Sequence, residues 1–404
     1  MKRKILSIVM SMLVVFTLAS VSYGEEPAGQ GTEILKIGFI GWLEMFIGID
    51  TLHCVQVSVD MINQRGGLDI GGKNYMIKLI SYTSNNEQST IMAATNRLIF
   101  RDNVKFIICD GFGVDAVFPI TEANKVVLCS SALSPAILSP NNHYSFMCGF
   151  QNTGSSSVVG WFAKNFPGKN ILFGLPETQQ GTVTKMVLSP VFTAFDVKAD
   201  FEFYPAETTD LSALGTKIKM MNPDVFASVG GTNQPYAAVR QAGYKGMLFN
   251  PSTPTLEELL TVLSPEMLEG FISAASPTEF EPALTKRAQD FKAGWIEKFG
   301  SWTNPYLSVL SNFDCMVAAL QKAGSPDPDK VAGVISNGLE FDSATGPGQM
   351  ISRPDLGNNR TIDSIQAIYM KKIEGGKARL LTTIEIAEGL EYFRKANPAA
   401  AHEK

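Results

Sequence analysis

The constraint that narrows this chain most is a rhythm. Short apolar runs of strand character alternate with longer segments of helical spacing, and the alternation runs through twice. In the first pass Ile34 to Ile40 reads as a buried strand. Leu52, Val55, Val59 and Ile62 then recur at helical spacing, and Asn63-Gln64-Arg65-Gly66-Gly67 stops that helix. Met76 to Tyr82, Val104 to Cys109 and Val126 to Cys129 read as further strands, separated by helices over Ser89 to Arg101 and Asp115 to Asn124. The second pass sets strands at Asn170 to Gly174, Val197 to Tyr204, Val225 to Gly230 and Gly246 to Asn250. Helices at Ser155 to Asn165, Gly181 to Phe195, Leu211 to Met221 and Pro235 to Ala242 lie among them. Strands alternating with helices imply the α/β class, with mostly parallel sheets covered by helices on both faces. Asn152 to Ser155 and Ser273 to Pro277 read as crossovers between the two units. Helices at Pro282 to Phe299, Pro305 to Lys322 and Lys330 to Asn337 follow. A hairpin of Thr361 to Lys371 and Ala378 to Ile386 turns around Glu374-Gly375-Gly376.

The amino terminus carries an address. Lys2, Arg3 and Lys4 precede a mostly apolar stretch from Ile5 to Leu18, and Ser22-Tyr23-Gly24 puts small residues at the positions a signal peptidase reads. This is the layout of a secretory signal peptide, too short for a good membrane span. An uncleaved anchor is the alternative, and the small residues favour cleavage near Gly24. The expected mature chain begins at Glu25, outside the cytoplasm. Without Lys2, Arg3 and Lys4, 31 of the 34 basic residues face 39 acidic ones, a net charge of −8. That balance argues against nucleic acid or an anionic membrane surface as partner.

Five cysteines remain: Cys54, Cys109, Cys129, Cys148 and Cys315. No CxxC pair occurs, so a zinc or redox motif is not supported. A disulfide is permitted in an exported protein but not required. Cys109 and Cys129 each end a strand, which makes them candidate neighbours, while buried free thiols acting as small hydrophobes are the plainer reading. The three histidines, His53, His143 and His402, are scattered and suggest neither a metal centre nor a catalytic triad.

Several turns carry binding chemistry. Asp110-Gly111-Phe112-Gly113-Val114-Asp115-Ala116 follows a strand and opens a helix. It approaches a dinucleotide fingerprint but belongs to the third strand, and no acidic residue stands some twenty positions on. The same geometry suits any anion, because a helix start offers unpaired N–H groups. Ser130-Ser131-Ala132-Leu133-Ser134 would lie beside it, with hydroxyls able to donate to a carboxylate or simply to cap the next turn. Trp42 and Phe46 fall in the loop after the first strand, at the carboxyl edge where α/β sheets bind ligands. Glu44 between them is either a solvated charge or a ligand contact. Glu177 to Gly181, Gly230 to Pro235 and Asn250 to Pro254 would line the corresponding edge of the second sheet. Two such edges facing each other make a cleft.

These elements, with Asp60-Met61-Ile62-Asn63-Gln64-Arg65-Gly66-Gly67, the polar run Thr83 to Thr90, Gly243-Tyr244, Asn304-Pro305-Tyr306 and Phe313-Asp314 in that order, carry a likeness. From Glu33 to Ile386 the chain resembles the periplasmic substrate-binding proteins of the leucine/isoleucine/valine-binding type, which serve ABC importers. The resemblance implies a type I fold of two doubly wound α/β lobes joined by three crossovers. The lobes are expected at 33–151 plus 277–346 and at 152–276 plus 347–390, after a signal peptide at 1–24 and before a polar tail at 391–404. It implies a monomer without catalysis, cofactor or metal, closing by a hinge on a small ligand and presenting it to the permease subunits of the inner membrane. The family holds a ligand carboxylate at positions matching Phe112, Gly113 and Val114 and Ala132 to Ser134, with an aromatic residue near Tyr306. In the second lobe this chain departs from the pattern, having Gln180, Thr232 or Asn233, and Ser252 where aromatic and acidic residues are common. Ser252 in place of an acid leaves a ligand ammonium without its counter-charge, and burying one unpaired costs several kcal/mol. The expected ligand is therefore an aromatic or aliphatic acid rather than a branched-chain amino acid, unless Glu44 or Asp115 supplies the charge. A periplasmic sensor subunit using the same cleft is the alternative function.

Overall fold

A computed structural model of the chain describes residues 33–85, 87–110, 113–131, 134–149, 151–208, 210–229 and 232–401. The leader at 1–24 and His402 lie outside the described residues, as do Gly111, Phe112, Ala132, Leu133, Gly230 and Gly231.

The first pass of the rhythm gives β1 (Glu33–Gly41), α1 (Phe46–Gln64), β2 (Leu68–Ile70), β3 (Lys73–Thr83), α2 (Gln88–Asn96), β4 (Phe106–Cys109), α3 (Val114–Ala123), β5 (Val127–Ser130) and β6 (Ser145–Met147). Their strands form one six-stranded sheet in the order β2-β3-β1-β4-β5-β6. It is parallel except for the β2–β3 hairpin. The second pass gives α4 (Gln151–Asn165), β7 (Ile171–Pro176), α5 (Gln179–Ala194), β8 (Ala199–Tyr204), α6 (Ser212–Met221), β9 (Val225–Ser228), α7 (Gln234–Gln241), β10 (Met247–Asn250), α8 (Leu256–Leu260) and β11 (Ile272–Ala275). Three helices follow, α9 (Lys286–Phe299), α10 (Leu310–Ala323) and α11 (Pro328–Ser336). Then come β12 (Glu340–Phe341), β13 (Gly348–Arg353), β14 (Asn358–Gln366), β15 (Ile368–Glu374), β16 (Lys377–Ile384) and α12 (Ile386–Ala396). The second sheet runs β16-β15-β11-β10-β9-β7-β8, and β12, β13 and β14 make a small third sheet.

The sequence explains why the central strands sit where they do. β4 (Phe-Ile-Ile-Cys), β5 (Val-Leu-Cys-Ser), β7 and β9 are buried at every position, as strands covered by helices on both faces must be. α9 and α10 follow β11 of the second sheet in sequence, yet Phe291, Trp295, Leu310, Phe313 and Cys315 pack into the core of the first. Each such side chain stabilises the fold by roughly 1.5–3 kcal/mol. Asn63 fastens α1 to its sheet: its amide accepts from Ile77 N (2.8 Å) and donates to Ile77 O (3.0 Å).

Several sequence expectations shift. Asn152 to Ser155, expected as a crossover, is the first turn of α4, and Ser273 to Ala275 is strand rather than connection. Thr361 to Lys371, expected as one strand, is broken at Ala367, whose N–H turns to Pro347 O (3.1 Å). The pieces β14 and β15 pair in different sheets. Residues 348–366, expected with the second lobe, form the third sheet, and Met350 and Ile362 enter the core of the first. The polar tail is largely helical: α12 carries Phe393, only 2% exposed. It lies against α4, where a Cβ on Gly160 would stand 2.4 Å from the Tyr392 ring, so only glycine admits that approach. Phe46, expected in a loop, starts α1 and is 67% exposed. Ile108, not Cys109, is the register partner of Cys129, so the two thiols point to opposite faces of the sheet. All five thiols are buried and unpaired. No described helix is long and apolar enough to cross a membrane.

Candidate functional site

In the first sheet the chain winds one way from β1 to β3 and the other way through β4, so the loops after β1 and β4 flank a topological switch point. In the second sheet the loops after β7 and β9 do the same. Ligands of open α/β sheets bind at such points because the diverging helices leave a crevice there.

A cleft of about 350 Å³ lies between residues of both sheets. That volume suits a small solute. Its lining mixes hydroxyls (Ser131, Ser155, Ser252, Thr253, Ser276 and Thr278) with an apolar wall of Val183, Val187, Leu188, Val229 and Ile368, and Tyr306 stands across it. Ser252 and Tyr306 were both anticipated as site residues. Trp42, Glu44, Phe46, Gly113, Val114, Ser134, Thr232 and Asn233 do not border this cavity. Phe112 and Ala132 lie outside the described residues, and the same is true of the Gln180 side chain, whose backbone opens α5.

The hydrogen bonds explain several of these outcomes. Glu44 accepts from Thr83 Oγ1 (2.5 Å), and the Ser134 hydroxyl donates to Asp115. Neither acid proposed as a counter-charge is therefore idle, and the Ser134 proton is not turned to the cleft. The Ser130 hydroxyl likewise donates to Cys109 O (3.0 Å). Thr232 caps its own turn through Gln234 N (3.3 Å). Gly113 adopts φ 93°, and a Cβ there would meet Ile91 Cδ1 at 2.2 Å, which is why the α3 start needs glycine.

Ser131 is the serine of that turn that reaches the cleft. It donates to Asp110 Oδ1 (3.2 Å) and accepts from Asn312 Nδ2 (3.3 Å), so its proton is committed and what it has left is a lone pair that can only accept. Asp110 retains some exposure but is surrounded by protein on nearly every side. Burial pushes its carboxyl up, and the hydroxyls of Thr51 and Ser131 pull it partly back; no basic side chain among the described residues contributes. Its charge is felt in the cleft: burial raises the Tyr306 phenol, and Asp110 raises it further.

The opposite wall is neutralised. Glu279 is buried and paired with the Nζ of Lys371, which also donates to Pro254 O. Burial raises the Glu279 carboxyl and Lys371 lowers it. The pair ties β15 to the turn after β10 and to the connection leaving β11. Glu258 is committed too, its Oε2 accepting from Thr255 N (2.8 Å) in a capping box. Behind the wall, Tyr236 Oη accepts from Ser228 N (2.9 Å) and contacts Ser228 O (2.7 Å) and Phe249 O (2.9 Å), pinning the end of β9 to β10.

Sequence reasoning gave no role to Asp110, Glu279 and Lys371, and it named Ser131 within its hydroxyl-bearing turn while choosing Ser134 as the contact. For Asp110 a signal existed, an acid directly after a strand buried at every position. For Lys371 none did, since Lys371 and Lys372 are adjacent and only the pleat decides which one turns inward.

The family model described as periplasmic binding protein matches residues 37–377. Among solved structures, the chain is similar to a branched-chain amino acid ABC transporter periplasmic ligand-binding protein from Burkholderia xenovorans (17% identity, 88% of this chain and 96% of that one, TM-score 0.70). It is similar to an ABC transporter solute-binding protein from R. palustris in complex with 4-hydroxybenzoate (16%, 88% and 98%, TM-score 0.67). A third is the branched-chain amino acid transporter substrate-binding protein of Streptococcus pneumoniae in complex with isoleucine (17%, 88% and 99%, TM-score 0.66). Likeness at these identities establishes the fold.

Proposed function

The chain belongs to the periplasmic binding protein family, and from that membership we propose that it captures a small carboxylate-bearing solute and delivers it to an ABC importer by closing around it. It is a binding protein, not an enzyme, and its relatives are type I binding proteins of importers. The observation that carries the proposal is the cleft itself: about 350 Å³ at the switch points of two sheets, with hydroxyls for hydrogen bonding and an apolar wall for a hydrocarbon body. The start of α3, with the backbone N–H groups of Gly113 and Val114, lies outside the cleft lining in this structure and would hold the anion only on closure. Ser252 and Tyr306 are its side-chain contacts. Trp42 and Phe46, 38% and 67% exposed, would cover the ligand only on closure. An aromatic or aliphatic acid fits the absence of an acid at Ser252, and solved relatives that hold benzoates and isoleucine frame the choice.

Asp110 favours a second reading. An acid near the cleft with no basic partner among the described residues, beside a Ser131 hydroxyl whose proton is already donated, suits a ligand ammonium. Transport is favoured over sensing, because the solved relatives are transporter components. The test is calorimetric titration of the protein with matched pairs, each an α-amino acid and its deaminated analogue. Binding of the acid alone supports the first reading; binding of the amino acid alone supports the second. Binding of neither class across aromatic, branched and straight-chain members would sink the carboxylate proposal.

A further inference from the structure

Behind the cleft, in the core of the first sheet, the fold gathers three cysteines that are far apart in sequence. Cys129 lies on β5, Cys148 follows β6, and Cys315 is on α10. All are fully buried, and their sulfur atoms lie within 4.8 Å of one another. A fourth sulfur, Met350 Sδ on β13, is 3.8 Å from Cys315 Sγ. The sequence offered no CxxC spacing to announce this cluster; four separate elements build it.

We propose that these four sulfurs form a site for a soft monovalent metal ion of the Cu(I) type. Three points no more than 4.8 Å apart all lie within about 2.8 Å of a common centre, since 4.8/√3 ≈ 2.8. Metal–thiolate bonds are ~2.3 Å, so each sulfur has roughly half an ångström to move. The donor set selects the ion. Thiols and a thioether, with no histidine or carboxylate in the cluster among the described residues, favour soft ions over magnesium, calcium or manganese. The thioether selects further, because methionine beside cysteine suits Cu(I) among the soft ions. Each cysteine that binds does so as a thiolate, exchanging its S–H bond for a metal–sulfur bond and releasing that proton to solvent, while Met350 donates a lone pair and keeps its methyl group.

The site stands under the floor of the cleft. Cys129 is two residues before Ser131, and Cys148 is one before Gly149, and both of those residues line the cavity. Burial closes the site to ions after folding, so loading belongs to folding.

The experiment refolds the full chain anaerobically with Cu(I) held by bathocuproine disulfonate, and reads transfer of copper from the coloured chelate complex. One copper per chain is expected, with copper–thiolate absorption in the ultraviolet and a raised Tm. Cys129→Ser is expected to weaken binding at least a hundredfold and Met350→Leu about tenfold, while Cys54→Ser and Cys109→Ser leave it unchanged. Met350→Leu preserves the core's volume, so it reports even if the cysteine variants fail to fold. The proposal is overturned if the refolded wild type takes no copper from the chelate, or if Cys129→Ser or Met350→Leu binds as the wild type does. It is overturned equally if fewer than five thiols react after denaturation of protein purified without reductant, since a disulfide would then hold the cluster.

Discussion

Replacing Asp110 by Asn removes one charge while keeping shape and one acceptor oxygen. The Ser131 hydroxyl lies 3.2 Å from Asp110 Oδ1 and borders the cleft. A ligand atom bonded to the outer side of that hydroxyl at ~2.8 Å stands roughly 5 Å from the carboxylate. At an effective dielectric of about 20, a unit charge there interacts with Asp110 by ~3 kcal/mol, about two decades in affinity. The sign depends on the ligand. D110N is expected to tighten binding of a simple carboxylic acid by up to a hundredfold, and to weaken binding of an amino acid by a similar factor. Titration calorimetry with phenylalanine and 3-phenylpropionate separates the two. A change under about 0.5 kcal/mol for whichever ligand binds would show that Asp110 does not sense the ligand's charge. Stability gives an independent check. Because the folded carboxyl is raised above its unfolded value of 3.8, the native state keeps a proton that the unfolded chain has lost, so stability falls as pH rises through that window. The Asn variant is free of that loss. It should gain on the wild type as pH rises above the unfolded value of 3.8 and match it below, as read by urea denaturation at each pH.

Three other outcomes follow from the same geometry. Lys371→Met strands the buried Glu279 and should cost about 3–5 kcal/mol in chemical denaturation, whereas the double variant with Glu279→Gln should recover most of that loss. Tyr236→Phe keeps the ring but leaves the buried Ser228 N–H without its acceptor, an expected loss of about 1–3 kcal/mol; an unchanged urea midpoint would remove the pin assigned to that hydroxyl. Gly113→Ala forces a left-handed backbone and a collision with Ile91, so ligand affinity should fall with the geometry of the α3 start, by roughly tenfold for about 1–2 kcal/mol of strain.

The sequence alone determined the class of fold and the whereabouts of its edges. Strands buried on both faces must be apolar throughout, and helices over a sheet must repeat near 3.6 residues. Val104 to Cys109, Val126 to Cys129 and Val225 to Gly230 were legible for that reason, as was the helix after Gly113. The turn after a second-sheet strand pointed to Ser252, whereas Tyr306 came from the family resemblance; both line the cleft. Tertiary structure alone decided what depends on direction and on distant partners. Short elements such as β6, α8 and β11 carry too few residues to show a period, and Thr361 to Lys371 looks continuous until two sheets compete for it. Ser131 rather than Ser134 reaches the cleft because Asp115 takes the Ser134 proton. Asp110 became a site candidate only when the packed fold surrounded it without bringing a cation among the described residues. Cys129, Cys148 and Cys315 meet although 186 positions separate the first from the last. A sequence records which groups prefer burial; the choice of neighbour belongs to the packed fold, because hydrogen bonds and sulfur contacts act over a few ångströms in space and are blind to distance along the chain.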